Sequence, residues 1–251
     1  MQRDELVAYL NEYLRVREID DASQNGLQVE GDPEVHRVAF AVDASREAFE
    51  RAVTTRAQFL IVHHGLFWNQ PVRLVGPFYQ RVRTLILGGC SLYAAHLPLD
   101  AHPEVGNNAE LARLLGLQDT RPFGKYHGVP IGVAGVLDPP LPLPNLIGRL
   151  IQALNVPPIR VLAHGAPNAH RVGIVSGDAV SLLEQAAEEG LDTFITGETR
   201  HSAFHTVAEL EMNVFFAGHY ATESVGLKAL ARHLEQKFGL ETVFLDIPTG
   251  M

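Results

Sequence analysis

Apolar residues recur along this chain with two different spacings, and these spacings predict helices and strands in alternation. Leu6, Leu10 and Leu14 lie four residues apart, as on one face of a helix, and predict a helix over residues 4–17. Short apolar runs such as residues 59–62 are too short for helices and end at polar residues, so they predict buried strands. The predicted fold class is therefore α/β.

The other elements follow from the same two patterns. The predicted strands cover residues 36–42, 59–62, 91–95, 129–137, 171–175, 193–196, 214–217 and 242–247. The further predicted helices cover residues 46–55, 78–87, 107–115, 146–154, 179–189, 202–210 and 223–238. Ser45 is a candidate N-cap, and Pro144 can begin a helix. Several prolines between residues 120 and 145 predict an edge hairpin or a connection between halves.

The second half of the chain repeats the element order of the first, which is strand, helix, strand, helix, strand. The corresponding segments are 37–42 with 171–175, 59–63 with 193–197, and 92–96 with 214–219. This repeat predicts two related α/β lobes. The first would cover 1–120, with part of 240–251 as a candidate to return to it, and the second 121–251, including a proline-rich connection over 121–145.

Composition and charge narrow the class of protein. The chain has 251 residues, with 20 basic and 29 acidic side chains and a formal net charge of -9. Nucleic acid is not expected as a partner, because a polyanion needs clustered Lys and Arg and the sequence has no such run. There is neither a signal peptide nor an apolar stretch that predicts a membrane span. The single cysteine, Cys90, cannot form an internal disulfide, so a cytoplasmic protein is expected.

Polar side chains with ligand chemistry follow the apolar strands. Ligands in α/β sheets collect beyond the carboxyl ends of strands, and five strand ends carry such residues here. They are Asp43, the pair His63-His64, His96, Glu198 and His219. The sequence has 12 histidines, and their position, more than their number, makes these candidates.

His63 and His64 are candidate metal ligands because they follow a buried strand directly. The alternative is one packed histidine and one surface histidine. Asp100 lies four residues after His96, in a segment that Pro98 predicts to be a loop. Imidazole with carboxylate suits divalent cations such as iron, zinc and manganese. Asp100 is also a candidate loop cap.

His219 and Glu223 form a second candidate pair. Thr222 is a candidate N-cap, which would place Glu223 in the first turn of the next helix. Glu223 is then either a carboxylate that bridges two cations or an ordinary first-turn acid. Glu198 is a candidate general base, a residue that orients a ligand histidine, or a helix cap.

Other candidates are weaker. His201 and His205 lie one helical turn apart, but without the His-Glu-x-x-His pattern. Phe67 and Trp68 could flank a substrate, belong to the core or form a subunit contact. The sequence lacks a phosphate-binding P-loop and a Gly-x-Gly-x-x-Gly fingerprint, which removes the usual support for an ATPase or a dinucleotide oxidoreductase.

Several motifs together carry a resemblance to a known family. They are Asn25-Gly26-Leu27-Gln28-Val29, His63-His64-Gly65-Leu66-Phe67-Trp68, His96-Leu97-Pro98-Leu99-Asp100, Phe194-Ile195-Thr196-Gly197-Glu198 and Gly218-His219-Tyr220-Ala221-Thr222-Glu223. In these motifs and their spacing, the chain resembles the GTP cyclohydrolase 1 type 2 homologues, or YbgI-like proteins, over nearly its whole length.

The resemblance implies a two-lobed α/β fold with a dinuclear metal site in a cleft between the lobes. It implies that His64 and Asp100 hold one ion, that His63 and His219 hold the other, and that Glu223 is shared. It also implies assembly as a homohexamer.

The expected function is a metal-dependent hydrolase with two divalent ions per chain, acting on a nucleotide-like or other small substrate. Such ions would activate a water for attack. His96 and Glu198 are the candidate catalytic residues that move protons. The alternative is a non-catalytic metal-binding protein, a metallochaperone or a scaffold, because a storage site needs the same ligands.

Overall fold

Strands and helices alternate along the chain in this computed structural model, which describes residues 1–157 and 159–251. The helices are α1 (Arg3–Tyr13), α2 (Arg46–Thr54), α3 (Gly76–Leu87), α4 (Leu97–Asp100), α5 (Asn107–Leu115), α6 (Leu143–Leu154), α7 (Leu183–Glu188), α8 (Ala203–Glu209) and α9 (His219–Phe238). The strands are β1 (Gly26–Val29), β2 (Arg37–Asp43), β3 (Phe59–His64), β4 (Ser91–Ala94), β5 (Gln118–Tyr126), β6 (Val129–Pro142), β7 (Arg160–Ala163), β8 (Asn168–Ile174), β9 (Thr193–Thr196), β10 (Asn213–Phe216) and β11 (Glu241–Phe244). None of the helices formed by the described residues has the length and apolar composition needed to cross a membrane.

The chain divides into two compact units, each with its own sheet. Unit 1 consists of Met1–Leu99 and Leu227–Ile247, and unit 2 of Asp100–Gly226 and Pro248–Met251. The predicted α/β class is confirmed. The predicted lobes 1–120 and 121–251 divide the chain at a different residue, and that division stays a prediction.

The sheet of unit 1 has the order β1-β4-β3-β2-β11. Strands β4, β3, β2 and β11 run parallel, and β1 pairs antiparallel with β4 at one edge. Helices α2 and α3 contribute Phe49 and Leu85 to a buried cluster with Leu60 and Leu92 of the sheet. The N-cap predicted at Ser45 is confirmed, because its hydroxyl accepts a hydrogen bond from the Ala48 N–H at 3.1 Å.

The sheet of unit 2 has the order β5-β6-β8-β9-β10-β7. Its centre, β8, β9 and β10, is parallel, and the flanking strands pair antiparallel. The proline-rich stretch forms the hairpin β5–β6 at one edge of this sheet, as one of the two sequence interpretations predicted. The apolar face of α6, with Leu146 and Leu150, packs into a buried cluster with Ile174 and Phe215.

Strand pairing within each unit reproduces the repeat found in the sequence. Val38 lies opposite Phe59 on the parallel pair β2–β3, and Val172 lies opposite Thr193 on the parallel pair β8–β9. The segments that correspond in the sequence repeat align Val38 with Val172 and Phe59 with Thr193. The two halves therefore share strand order and register.

Two local predictions were wrong. Residues 97–100 form one turn of helix instead of a loop. Pro98 is compatible with this helix because the N–H groups of the first turn have no acceptor within a helix. The N–H group that proline lacks is therefore not needed there. Helix α9 begins at His219, so Thr222 is not its N-cap. The Thr222 hydroxyl instead bonds back to the Gly218 carbonyl at 2.9 Å, and Glu223 lies one turn inside the helix.

Candidate metal-binding groups

The carboxyl ends of β3 and β4 gather three histidines in unit 1. His63 is fully buried, and its ring centroid lies 4.8 Å from that of His64. The His96 ring, just after β4, lies 5.0 Å from His63 and 5.6 Å from His64. One ligand nitrogen from each ring lies within 4.8 Å of the other two. Parallel pairing of β3 with β4 thus forms a group that could hold a metal ion.

The first two imidazoles of this group are held in one orientation through Nδ1. His63 Nδ1 lies 2.9 Å from the Ala95 carbonyl oxygen, and His64 Nδ1 lies 2.8 Å from Asp43 Oδ1. A carbonyl and an ionised carboxylate only accept hydrogen bonds, so Nδ1 is the donor in both rings. Nε2 then carries the lone pair that a metal ion would use, which is the usual arrangement of a ligand histidine.

His96 is held in the same way by Asp21, whose side chain is 3% exposed. Its Nδ1 lies 2.9 and 3.0 Å from the two carboxylate oxygens. Burial raises the pKa of Asp21, but the hydrogen bond and electrostatic interaction with His96, together with hydrogen bonds from Asn25 and the Ser23 N–H, outweigh it and lower the pKa to about 2. Asp21 is therefore ionised at neutral pH and holds the His96 ring through Nδ1.

Unit 2 presents a histidine and a carboxylate on the first turns of α9. His219 and Glu223 are four residues apart, and His219 Nε2 lies 2.9 Å from Glu223 Oε1. The other nitrogen, Nδ1, lies 2.9 Å from Glu198 Oε1. The Glu198 carboxylate only accepts a hydrogen bond, so Nδ1 is the donor there. The close approach of Nε2 to Glu223 then requires a proton between the two atoms, on the ring or on the carboxyl group, or a cation held by both residues.

The backbone at Gly177 approaches the Glu223 carboxylate closely. A Cβ built on Gly177 would lie 2.3 Å from Glu223 Oε1 and 3.3 Å from His219 Nε2. Its φ of +66° also lies in the left-handed region that favours glycine. The Gly177 N–H donates to the Thr222 hydroxyl at 3.1 Å. Glycine is thus required here both by conformation and by space.

Asp100, the last residue of α4, is held by two polar side chains in unit 2. Its Oδ1 accepts hydrogen bonds from Asn107 Nδ2 and from the Ser176 hydroxyl, both at 2.8 Å. The Asn107 side chain is itself fixed, because its Oδ1 accepts the Gly226 N–H at 2.9 Å. The carboxylate is buried, and the two side chains that donate to its Oδ1 are buried too.

Comparison with known proteins identifies the family. Residues 1–250 match the family model Duf34/NIF3 (NGG1p interacting factor 3). This chain belongs to the Duf34/NIF3 family.

Relatives of this Duf34/NIF3 protein cover its full length. A "GTP cyclohydrolase 1 type 2 homolog" of Deinococcus radiodurans is 49% identical over 99% of this chain and 94% of its own. A crystal structure from Thermus thermophilus is 48% identical, with a TM-score of 0.94 and full coverage of both chains. The structure of ybgI, described as of unknown function, is 36% identical with a TM-score of 0.93 and full coverage of both. The resemblance found in the sequence is confirmed.

The structure brings some of the predicted site residues of the Duf34/NIF3 chain together within each unit. Unit 1 gathers His63, His64 and His96, and unit 2 gathers His219, Glu223 and Glu198. The roles proposed for them, and for Asp100, stay predictions. Of the alternatives for Glu198, the hydrogen bond fits a residue that orients a histidine. Among the described residues, His201 and His205 join no group of potential ligands.

Sequence reasoning missed three residues that hold these groups in place, namely Asp21, Asn107 and Ser176. It named Asp43 only as a strand end. Asn25, which belongs to a recognised motif, was a usable signal. Its Nδ2 donates to Asp21 at 2.8 Å and its Oδ1 accepts the His96 N–H at 2.7 Å.

Proposed function

We propose that this Duf34/NIF3 protein binds two divalent metal ions per chain and hydrolyses a nucleotide-like or other small substrate in the cytoplasm. Iron, zinc and manganese suit the proposed ligands, which combine imidazoles with carboxylates. The proposed ligands are His63, His64, Asp100, His219 and Glu223. The observation that carries the proposal is the hydrogen bond from Nδ1 to a carboxylate or carbonyl at each of His63, His64, His96 and His219.

This anchoring matters because it prepares Nε2 as a ligand before any ion arrives. Partners that hold the second ring nitrogen of a ligand histidine fix its tautomer and raise its basicity. When bound, divalent ions would supply Lewis acidity, which polarises a substrate and activates water. The chain's own proton carrier would be His96, because Asp21 fixes its ring through Nδ1 beside the rings of His63 and His64. Glu198 would orient His219.

We also propose that the chain assembles as a homohexamer. The support in unit 1 is an exposed apolar stretch before and within α3. Val72, Leu74 and Val75 are 44%, 56% and 66% exposed, and Leu87 is 69% exposed. Exposed apolar patches of this kind mark protein contacts. Light scattering should report a multiple of the 27.5 kDa chain, and a clean monomer would contradict the assembly.

Metal content tests the first part of the proposal. Protein purified without chelator should carry up to two transition-metal ions per chain by elemental analysis. The double change His64→Ala with Asp100→Ala should empty one position. His36→Ala is the matched control, because His36 is an exposed histidine that pairs with Glu34 at the surface. Absence of bound metal under metal-replete conditions would contradict the proposal.

Turnover tests the second part. The metal-loaded protein is assayed with nucleotides, including GTP, and with simple phosphoesters, before and after chelation. We expect hydrolysis that chelation removes and that His96→Gln lowers about a hundredfold, the range of general acid–base catalysis. Metal binding without any turnover would leave the non-catalytic metal-binding protein as the function.

A further inference from the structure

Two adjacent aromatic residues after β3 have different surroundings. Phe67 packs against the apolar core of unit 1, and its ring meets Phe78 edge to face at 5.5 Å between centroids. Trp68 lies beside the candidate imidazoles, with its ring centroid 5.1 Å from His96 and 6.3 Å from His64. Of the interpretations that the sequence leaves open, core packing therefore applies to Phe67 and not to Trp68.

The Trp68 side chain is fixed in this position. Its indole N–H donates to the Gly65 carbonyl at 3.1 Å, and its backbone forms a bridge with Ser23. The side chain is half-buried, and its polar atom is already satisfied by the protein. An indole has no ligand atom for a divalent ion, so metal binding does not explain its place beside the histidines. A rigid, flat apolar surface is what it adds to the group.

We propose that Trp68 forms one wall of a subsite for a planar heteroaromatic ring of the substrate, beside His64 and His96. The inference rests on the proposed function and selects among its substrates, since sugar phosphates without a base have no ring to stack. Stacking of a base on an aromatic side chain tolerates any base, because each has a π-face. A fixed ring gives up little further conformational freedom when a ligand stacks on it.

Two ligands that differ only in the ring test the proposal. Guanosine monophosphate and ribose 5-phosphate are titrated calorimetrically into the full-length protein, both metal-free and zinc-loaded. We expect the nucleotide to bind at least about tenfold more tightly, the lower end for one stacked base. It should also quench the fluorescence of Trp68, the single tryptophan of the sequence. Equal affinities, absence of quenching or absence of binding would overturn the subsite.

Variants at the two aromatic positions sharpen the test. Trp68→Leu should weaken guanosine monophosphate about tenfold or more while zinc affinity stays unchanged, and Trp68→Phe should keep most of the affinity. Phe67→Leu is the matched neighbour, expected to lower stability and leave nucleotide affinity unchanged. If Trp68→Leu keeps its nucleotide affinity but loses self-assembly, Trp68 belongs to a contact between copies and the subsite is wrong.

Failure of the subsite and failure of the proposed function give different results. If the parent protein takes up none of zinc, iron and manganese, the metal-dependent function fails, and the metal-free titrations still decide whether a ring binds at Trp68. If zinc binds and the nucleotide holds no advantage over ribose 5-phosphate, only the ring subsite fails.

Discussion

In unit 1 the carboxylate that holds His64 ends the first of four parallel strands in chain order, whereas in unit 2 the carboxylate that holds His219 follows the second of three. Asp43 ends β2 and holds His64 at the end of β3, and the two residues are register partners. Glu198 follows β9 and holds His219, which follows β10. Both units thus contain a hydrogen bond from a histidine Nδ1 to a carboxylate. In unit 2 both residues lie one strand later than the corresponding pair in unit 1.

The shared strand register shows which residues occupy corresponding positions in the two units. Counting from the matched strands, the position of His64 corresponds to Glu198, and the position of Asp43 corresponds to Gly177. Where unit 1 has the Asp43 side chain, unit 2 has only backbone, and the Glu223 carboxylate approaches it. The sheet fixes where polar groups gather, and the residues at each strand end decide whether a group is rich in imidazole or in carboxylate.

The largest effect is expected at Glu223, the buried carboxylate that approaches Gly177 in unit 2. Glu223→Gln keeps the shape and removes the charge, so cations would face less negative charge in a site of low effective dielectric. We expect affinity to fall about a hundredfold at both ion positions, as when a buried charge loses its partner, whereas His63→Ala should affect mainly one position. Calorimetric metal titration measures this, with circular dichroism as the folding control. Two ions bound with parental affinity would make Glu223 a purely structural residue.

The next effect is expected at Gly177, which occupies in unit 2 the position that Asp43 occupies in unit 1. Gly177→Ala would place a methyl group 2.3 Å from Glu223 Oε1 and impose a strained φ. Gly190→Ala is the matched control, because Gly190 has a similar φ of +71° and its nearest contact is 3.6 Å. Both should lose about 1 kcal/mol or more to strain, and Gly177→Ala about 1–3 kcal/mol beyond that. Urea unfolding measures the difference. Equal losses of stability in the two variants would show that the Glu223 carboxylate can move away from the new methyl group without a loss of stability.

The periodic parts of the chain were predictable because their causes are local. Apolar runs marked the parallel strands, and the Ser45 cap needed only its own neighbours. The start of α9 was missed because Gly218 precedes it, and glycine is a weaker indicator of a helix start than Thr222, a common capping residue. Strands β1 and β7 were missed because neither is a continuous buried run, whereas the equally short β4, β9 and β10 are buried at every residue.

The candidate ligands were predictable from strand ends, but the residues that orient them were mostly not. Asp21 lies in a segment without apolar periodicity, and its partner His96 is 75 residues away in sequence. Asn107 and Ser176 are ordinary polar residues until the fold places both on Asp100. A strand end is a local feature, whereas a hydrogen bond between distant segments exists only in the folded chain.

The orienting carboxylates allow a matched test of the two units. Asp43→Asn and Glu198→Gln each replace a partially exposed acceptor by an amide of the same shape. The amide oxygen can still accept from Nδ1 but no longer raises the basicity of the ring. We expect about a tenfold loss of metal affinity in each, the lower end for such partners. Glu47→Gln, in a surface ion pair with Arg51, should change nothing. If only one of the two variants loses metal affinity, Asp43 and Glu198 make equivalent hydrogen bonds but do not have equivalent roles in metal binding.

The last effect is expected at Asp21, the orienting carboxylate with the least exposed side chain, and it depends on pH. The pKa of Asp21 is lowered from 3.8 to about 2, so its contribution to stability is complete above the higher value and is lost as pH falls through the lower one. Asp21→Asn removes this contribution, which we expect to be on the order of 1–2 kcal/mol.

The difference in unfolding free energy between the parent and Asp21→Asn should therefore shrink as pH falls from about 5 to about 2, the window set by the two pKa values of Asp21. Urea unfolding at several pH values measures it, and taking the difference cancels the titration of acids common to both proteins. Asp43→Asn is the comparison, since the Asp43 side chain is 42% exposed against 3% for Asp21, and solvent weakens its pairing. A difference that stays constant to pH 2 would show that Asp21 holds His96 by hydrogen-bond geometry alone and not by charge.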